Sequence, residues 1–161
     1  MSKEESFTRL IKQNEGVIFK VTTLYTNSQV DRQDLYQEIV YQLWKSYDSF
    51  REESKISTWM YRVSLNTAIK ELKSKSKRPS IQNEDKRSYV VAESYDYEYE
   101  LRLKKMYEHI YKLNILDRGL ILLLLEGKKY EEIADISGLS LTNVSTRLSR
   151  IKQKLKSNIQ K

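Results

Sequence analysis

The stretch EEIADISGLSLTNVSTRLSRIKQKLK, Glu131 to Lys156, carries two helical periodicities separated by a single glycine. After the break, Leu141, Val144, Leu148, Ile151 and Leu155 fall at steps of three and four. A stripe of that period is satisfied by a helix that buries one face against other helices. Gly138 tolerates the positive φ that a sharp turn between two such helices requires. Leu139 beside it can plug the angle between them, Ala134 is small where they approach, and Ser140 can cap the second helix. The pattern is a helix-turn-helix.

The face opposite the stripe carries Thr142, Asn143, Thr146, Ser149 and Arg150, flanked by Arg147, Lys152 and Lys154. Short hydrogen-bonding side chains near the helix start can reach base edges in a major groove, and cations further along can neutralise phosphates. A helical hairpin with a merely solvated polar face would show the same pattern, so charge has to separate the two. Lys128 to Lys161 holds 8 basic and 3 acidic residues, whereas Ser2 to Lys73 holds 11 and 10. The cationic excess sits at the C-terminal end, and a polyanion partner is expected there.

Four glycines and one proline in 161 residues leave few helix breakers, which predicts an all-α protein. Asp34 to Tyr47 sorts into two arcs: Leu35, Tyr36, Ile39, Val40, Leu43, Trp44 and Tyr47 on one, Asp34, Gln37, Glu38, Tyr41, Gln42 and Lys45 on the other. Phe7 to Tyr25 supplies one or two helices to pack on the apolar arc, and Thr58 to Lys73 a third after a polar loop. Ser74 to Glu98 contains the proline and no sustained stripe, so it reads as a linker. Periodicity resumes at Tyr99, Leu103, Met106, Ile110 and Leu113, and a further helix is expected to start near Asp117 as N-cap and end before Gly127. The expectation is two small helical domains, 1–75 and 98–161, joined by a flexible linker over 76–97, the second domain a helix-turn-helix.

The same sequence limits the chemistry. With no cysteine there is no disulfide or thiolate metal site, and His109 is the one histidine, so no metal or other cofactor is expected. No glycine-rich phosphate loop is present, and the acids are scattered over helix surfaces; an enzyme is not expected. Leu120 to Leu125 is far shorter than the roughly 18 residues of a membrane span. Met1 to Glu5 is polar with no apolar segment behind it, so a cytoplasmic location is expected.

Trp59, Arg62, Asn66, Lys70 and Lys73 lie within about 80° of one another at helical spacing. A tryptophan beside a cationic and amide stripe can stack on an unpaired base while its neighbours hold the backbone. Trp59 can equally be core, next to Met60 and Val63, beside a solvated basic stripe.

Three stretches taken together, DRQDLYQEIVYQLWKSYDSF, ESKISTWMYRVSLNTAIKELK and YEEIADISGLSLTNVSTRLSRIKQKL, resemble the extracytoplasmic-function sigma factors of the sigma-70 family. These are short two-domain bacterial initiation factors that give RNA polymerase its promoter specificity. The resemblance runs in order over nearly the whole chain and implies sigma region 2 at the N-terminus and region 4 at the C-terminus. DLYQE matches the segment that docks on the clamp helices of the polymerase's largest subunit, which implicates Asp34, Gln37, Glu38 and Trp44. Trp44, at the edge of the apolar arc, could instead serve packing. STWMYRVSLN matches the strand-opening helix that reads the −10 element, implicating Trp59, Arg62 and Asn66, with Lys70 on the same stripe. FREESK matches the loop that captures an extruded −10 base, implicating Phe50, Arg51 and Lys55.

The terminal helix matches the −35 reader, which adds Ser145 to Thr142, Asn143, Thr146, Arg147, Ser149 and Arg150. Ser145, Thr146 and Arg147 stand where members often carry Lys-Ser-Arg, and Ile56 and Asn114 replace a phenylalanine and a proline common in the family. The connector of the family passes near the active-site cleft, so SYDYEYE, Ser94 to Glu100, reads either as a channel contact or as a solvated linker. The resemblance implies RNA polymerase core and promoter DNA as partners, an anti-sigma factor as a further one, and strand opening driven by binding. The other function considered is a helix-turn-helix regulator that does not bind polymerase.

Overall fold

The computed structural model describes residues 1–50, 55–76 and 97–159. Every regular element among them is helical: α1 (Lys3–Gln13), α2 (Glu15–Tyr25), α3 (Gln29–Ser46), a 3-10 turn (Tyr47–Ser49), α4 (Ile56–Ser76), α5 (Tyr97–Tyr111), α6 (Ile115–Leu125), α7 (Tyr130–Ser137) and α8 (Leu141–Ile159). They form two compact units, 1–76 in the first and 97–159 in the second. The helices at the boundary run through Ser76 and from Tyr97, inside the span expected to be linker; residues 77–96 of that span lie outside the described residues.

In the first unit, hydroxyl caps set the helix starts: Ser2 Oγ accepts from the Glu5 N–H and Ser28 Oγ from the Asp31 N–H, each at 3.1 Å. The core is made where α2, α3 and α4 meet. Ile18 and Val21 from α2, Ile39 and Leu43 from α3, and Met60 and Ala68 from α4 are fully buried there. Each large aliphatic side chain so buried is worth about 1.5–3 kcal/mol. Helix α1 buries only Phe7, whose ring meets Trp44 edge-on at 5.0 Å and Tyr47 at 5.3 Å. Lys3 ties α1 down again, with Nζ 2.8 Å from Asp48 Oδ2 and 4.4 Å from the Trp44 ring centroid.

In the second unit the expected N-cap was one turn too late. Helix α6 is capped by Asn114, which has extended backbone and accepts the Asp117 N–H on Oδ1 at 2.9 Å. Both residues are short side-chain acceptors, and it is the extended backbone of Asn114 that leaves its oxygen free to turn over the helix end. The helix closes with a paired ending: Gly127 N–H donates to Leu124 O and Lys128 N–H to Leu123 O, both at 3.0 Å, with Gly127 at φ 82°. Leu120 to Leu123 are buried as the apolar run implies, while Leu125 at its end is 49% exposed.

Gly138 ends α7 at φ 78°, its N–H donating to Ala134 O at 2.9 Å, and Ser140 Oγ accepts the Asn143 N–H at 3.1 Å to start α8. Val144, Leu148, Ile151 and Leu155 of α8 are buried against α5, α6 and α7. Leu141 departs from the expected stripe and is 48% exposed, because it lies in the first turn, ahead of the stretch that the other helices cover.

A Cβ at Gly138 would meet nothing within 4 Å, so the glycine is needed for its backbone angle and not for space. Gly138→Ala is expected to destabilise the second unit by about 1–2 kcal/mol, the cost of a left-handed conformation. Native-state amide exchange should quicken in α7 and α8 and stay unchanged in α2 to α4.

Candidate nucleic-acid interface

Once Val144 and Leu148 are fixed inward, the 100° step of the helix sends Thr142, Ser145, Thr146, Ser149 and Arg150 outward, and all five are exposed. Lys152 and Lys154 continue this side one turn on, exposed as well. Lys152 is also tethered to α7, its Nζ donating to the Tyr130 hydroxyl at 2.9 Å and lying 5.5 Å from that ring's centroid. The outward face therefore offers hydroxyls first and cations later.

Asn143, expected on this face from the sequence, and Arg147, expected to flank it, are half-buried and occupied within the unit. Arg147 Nε–H donates to Asn143 Oδ1 at 3.0 Å, and Nη1–H to Asp117 Oδ1 on α6 at 3.3 Å. This contact could not be read locally, since the two residues stand 30 positions apart.

In the first unit the acidic side of α3 is outward. Asp34 and Gln37 are exposed, and Glu38 is half-buried, accepting from Gln42 Nε2 at 3.0 Å. Trp44 is half-buried, with Phe7 and Lys3 against its indole, so its ring is first a packing element. Tyr36 on the same helix has its hydroxyl pKa raised by burial and, secondarily, by the Glu15 carboxylate.

Helix α4 carries the remaining assigned residues. Asn66 and Lys70 are exposed, Arg62 is half-buried, and Lys55 is exposed just before the helix. Trp59 is 6% exposed, with its ring stacked on Phe50 at 4.7 Å and 27° and tilted against Tyr47 at 6.4 Å. In the free chain it is no open platform; Phe50, half-buried, lies over it. Arg51 lies outside the described residues. Among the described residues no group of three or more His, Cys, Asp or Glu could hold a metal ion, and no helix is long and apolar enough to cross a membrane.

The chain matches the family models of sigma-70 region 2 over residues 10–78 and of sigma-70 region 4 over residues 106–155. It is 30% identical over 172 residues to the ECF RNA polymerase sigma-E factor of Haemophilus influenzae, covering 98% of this chain and 89% of that protein. Identity to the ECF RNA polymerase sigma-E factor of Escherichia coli is 26% over 169 residues, with 98% and 88% covered. Among solved structures, the sigma factor RpoE in complex with the anti-sigma factor NepR from Bartonella quintana superposes with a TM-score of 0.77 at 19% identity, over 97% of this chain and 98% of that one. CnrH in complex with the cytosolic domain of CnrY gives a TM-score of 0.67 at 20% identity, over 97% and 88%. At these identities the two structures speak to the fold alone.

The burial of Trp59 generates a clear expectation. Trp59→Ala removes a large ring from between Phe50 and Tyr47 and is expected to cost about 3–5 kcal/mol of stability. The melting temperature of the first unit should fall, and activity should drop alike on duplex and on pre-melted promoter templates. A loss restricted to duplex templates, with the melting temperature unchanged, would give the ring a direct part in strand opening instead.

Proposed function

The chain belongs to the extracytoplasmic-function sigma factors of the sigma-70 family, and from that premise we propose how its faces serve transcription initiation. It is an initiation factor that directs RNA polymerase to promoters. The outward acidic side of α3, with Asp34, Gln37 and Glu38, docks on the core enzyme, and Trp44 holds that helix in shape from behind. Thr142, Ser145, Thr146, Ser149 and Arg150 of α8 read the −35 element as duplex, with Asn143 and Arg147 at their border. Phe50, Lys55, Arg62, Asn66 and Lys70 hold the −10 strand as it separates, Trp59 forming the floor beneath Phe50 and Arg51 belonging to the same loop.

The observation that carries this reading is the polar face of α8, left outward by burial of Val144, Leu148 and Ile151 and cationic toward its end. Strand opening in this scheme draws on binding free energy alone, so the chain performs no catalytic step of its own. The working place is the cytoplasm, with polymerase core and promoter DNA as partners. An anti-sigma factor is proposed as a regulator, supported by the fold neighbour solved with one. The 1–75, 76–97 and 98–161 division goes with this scheme as region 2, connector and region 4.

Transcription in vitro with core polymerase on a library of genomic fragments tests the role, since initiation at a defined subset of fragments requires both core binding and promoter choice. Two variants then separate the faces. Asp34→Lys with Glu38→Lys is expected to abolish capture of core polymerase while the melting temperature holds, because both side chains stand outside the core. Destabilisation of that variant would assign the pair to the unit's own structure. Arg150→Ala is expected to weaken binding to a selected −35 duplex by about 1–3 kcal/mol, the worth of a good base contact, with the fold intact. Unchanged binding would move the reading face elsewhere on α8.

A further inference from the structure

We propose that Asp117 is a positioning residue of the DNA-reading face: anchored by Asn114, it holds the Arg147 guanidinium fixed against α8, so that Arg147 serves discrimination between duplexes and not general attraction to them. The inference rests on the reading of α8 as the duplex-binding helix.

Four residues form one chain of hydrogen bonds. Asn114 Nδ2–H donates to Asp117 Oδ2 at 3.0 Å, and the Asp117 N–H donates back to Asn114 Oδ1 at 2.9 Å. The other carboxylate oxygen, Oδ1, takes Arg147 Nη1–H at 3.3 Å, and Arg147 Nε–H reaches Asn143 Oδ1 at 3.0 Å. Asp117 is therefore held on one oxygen and holds with the other. Its side chain is 18% exposed and that of Arg147 35%, so the pair lies at the rim of the face, neither sealed in the core nor fully in water.

This placement changes what the arginine can do. An unrestrained arginine on a helix surface swings to the nearest phosphate of any sequence and releases a counterion there, which adds affinity without information. Arg147 has its charge partly balanced by Asp117 and two donors of its rigid fork committed, which fixes where the rest of the fork points. A donor at a fixed position rewards only the duplex that places an acceptor there. Asp117 is tolerable beside the polyanion for the reciprocal reason: its carboxylate is covered by the cation it restrains.

The test uses the full chain, a short mixed-sequence duplex, and duplexes that the wild-type chain enriches from a randomised pool. Binding is measured between about 50 and 200 mM salt. Asp117→Asn keeps the shape and removes the charge, so the freed arginine should pair with a phosphate. The slope of log affinity against log salt is expected to steepen by about 0.9 on the mixed-sequence duplex. The variant's advantage over wild type should shrink about threefold across that salt range, and the ratio of enriched to mixed-sequence affinity should fall. Adding Arg147→Ala to that variant should return the slope to the wild-type value, while Arg147→Ala alone should leave the slope where it is.

Two results overturn the proposal. An Asp117→Asn chain with unchanged slope and unchanged ratio would make the pair a mere tie between α6 and α8. An Arg147→Ala chain whose slope is shallower by about 0.9 would show that Arg147 already neutralises a phosphate. Should Asp117→Asn fail to fold, Arg147→Ala alone decides: its ratio of enriched to mixed-sequence affinity should fall at unchanged slope, and an unchanged ratio overturns the proposal. A wild-type chain that binds neither kind of duplex overturns the reading of α8 itself, which is distinguishable from both.

Discussion

Val144 and Leu148 are fully buried where α8 meets α6 and α7, and they set the rotation of that helix about its own axis. Turning α8 by one residue would carry Ser145 and Ser149 into the core and bring Leu148 out. Burying a hydroxyl without a partner costs about 1–3 kcal/mol, and exposing a leucine loses a similar amount, so the alternative rotation is excluded several times over. With the rotation set, the residues proposed to face DNA are whatever remains outside. The turn at Gly138 sets the angle to α7 and the Ser140 cap sets where the helix begins, leaving neither phase nor start to be adjusted by the ligand. The same logic governs α3, where burial of Leu35, Ile39 and Leu43 leaves Asp34 and Gln37 exposed.

That logic explains what could be read from the chain and what could not. Stripes at period 3.6 are a local property, so the buried faces of α3 and α8, the glycine at the turn and the serine cap could all be read from neighbouring residues. Leu141 fits the α8 stripe by spacing but is exposed, because periodicity cannot say how far the covering helices extend. Asn114 and Asp117 are both good caps three positions apart, and only the backbone chooses between them. The choice has a consequence: with Asn114 as the cap, the Asp117 carboxylate is not spent on the backbone of the helix end, and one of its oxygens meets Arg147. A pairing across 30 positions carries no local signal, so from the sequence Arg147 is indistinguishable from the other cations that flank the outward face.

Trp59 was ambiguous for a different reason. It borders both Met60, which is fully buried, and the stripe of Arg62 and Asn66, so its angular position fits either environment. What decides it in the free chain is a neighbour from another element. Phe50, just beyond the 3-10 turn, stacks over the indole, and Tyr47 closes the side. Residue types alone gave no indication that these three rings would meet, although aromatic rings gathered where α3 ends and α4 begins are an economical way to fix a short loop.

The two faces proposed to meet nucleic acid thus work under opposite constraints. The face of α8 is displayed in advance, with side chains that need little rearrangement, which suits duplex DNA whose groove already exists. At the N-terminal end of α4 the aromatic surface is closed in the free chain: Phe50 covers Trp59, so a separated base would meet Phe50 and not the indole. A base stacked on that one ring is worth about 1–3 kcal/mol. Opening a base step costs a few kcal/mol, which a single stacked base does not exceed. On the proposed role, the balance has to come from the exposed Lys55 and Lys70 and from Arg62 acting on the phosphates of the separated strand, with polymerase held in place by α3. On that role a base is kept only where the backbone is already held, which makes opening depend on the position of the chain on the promoter.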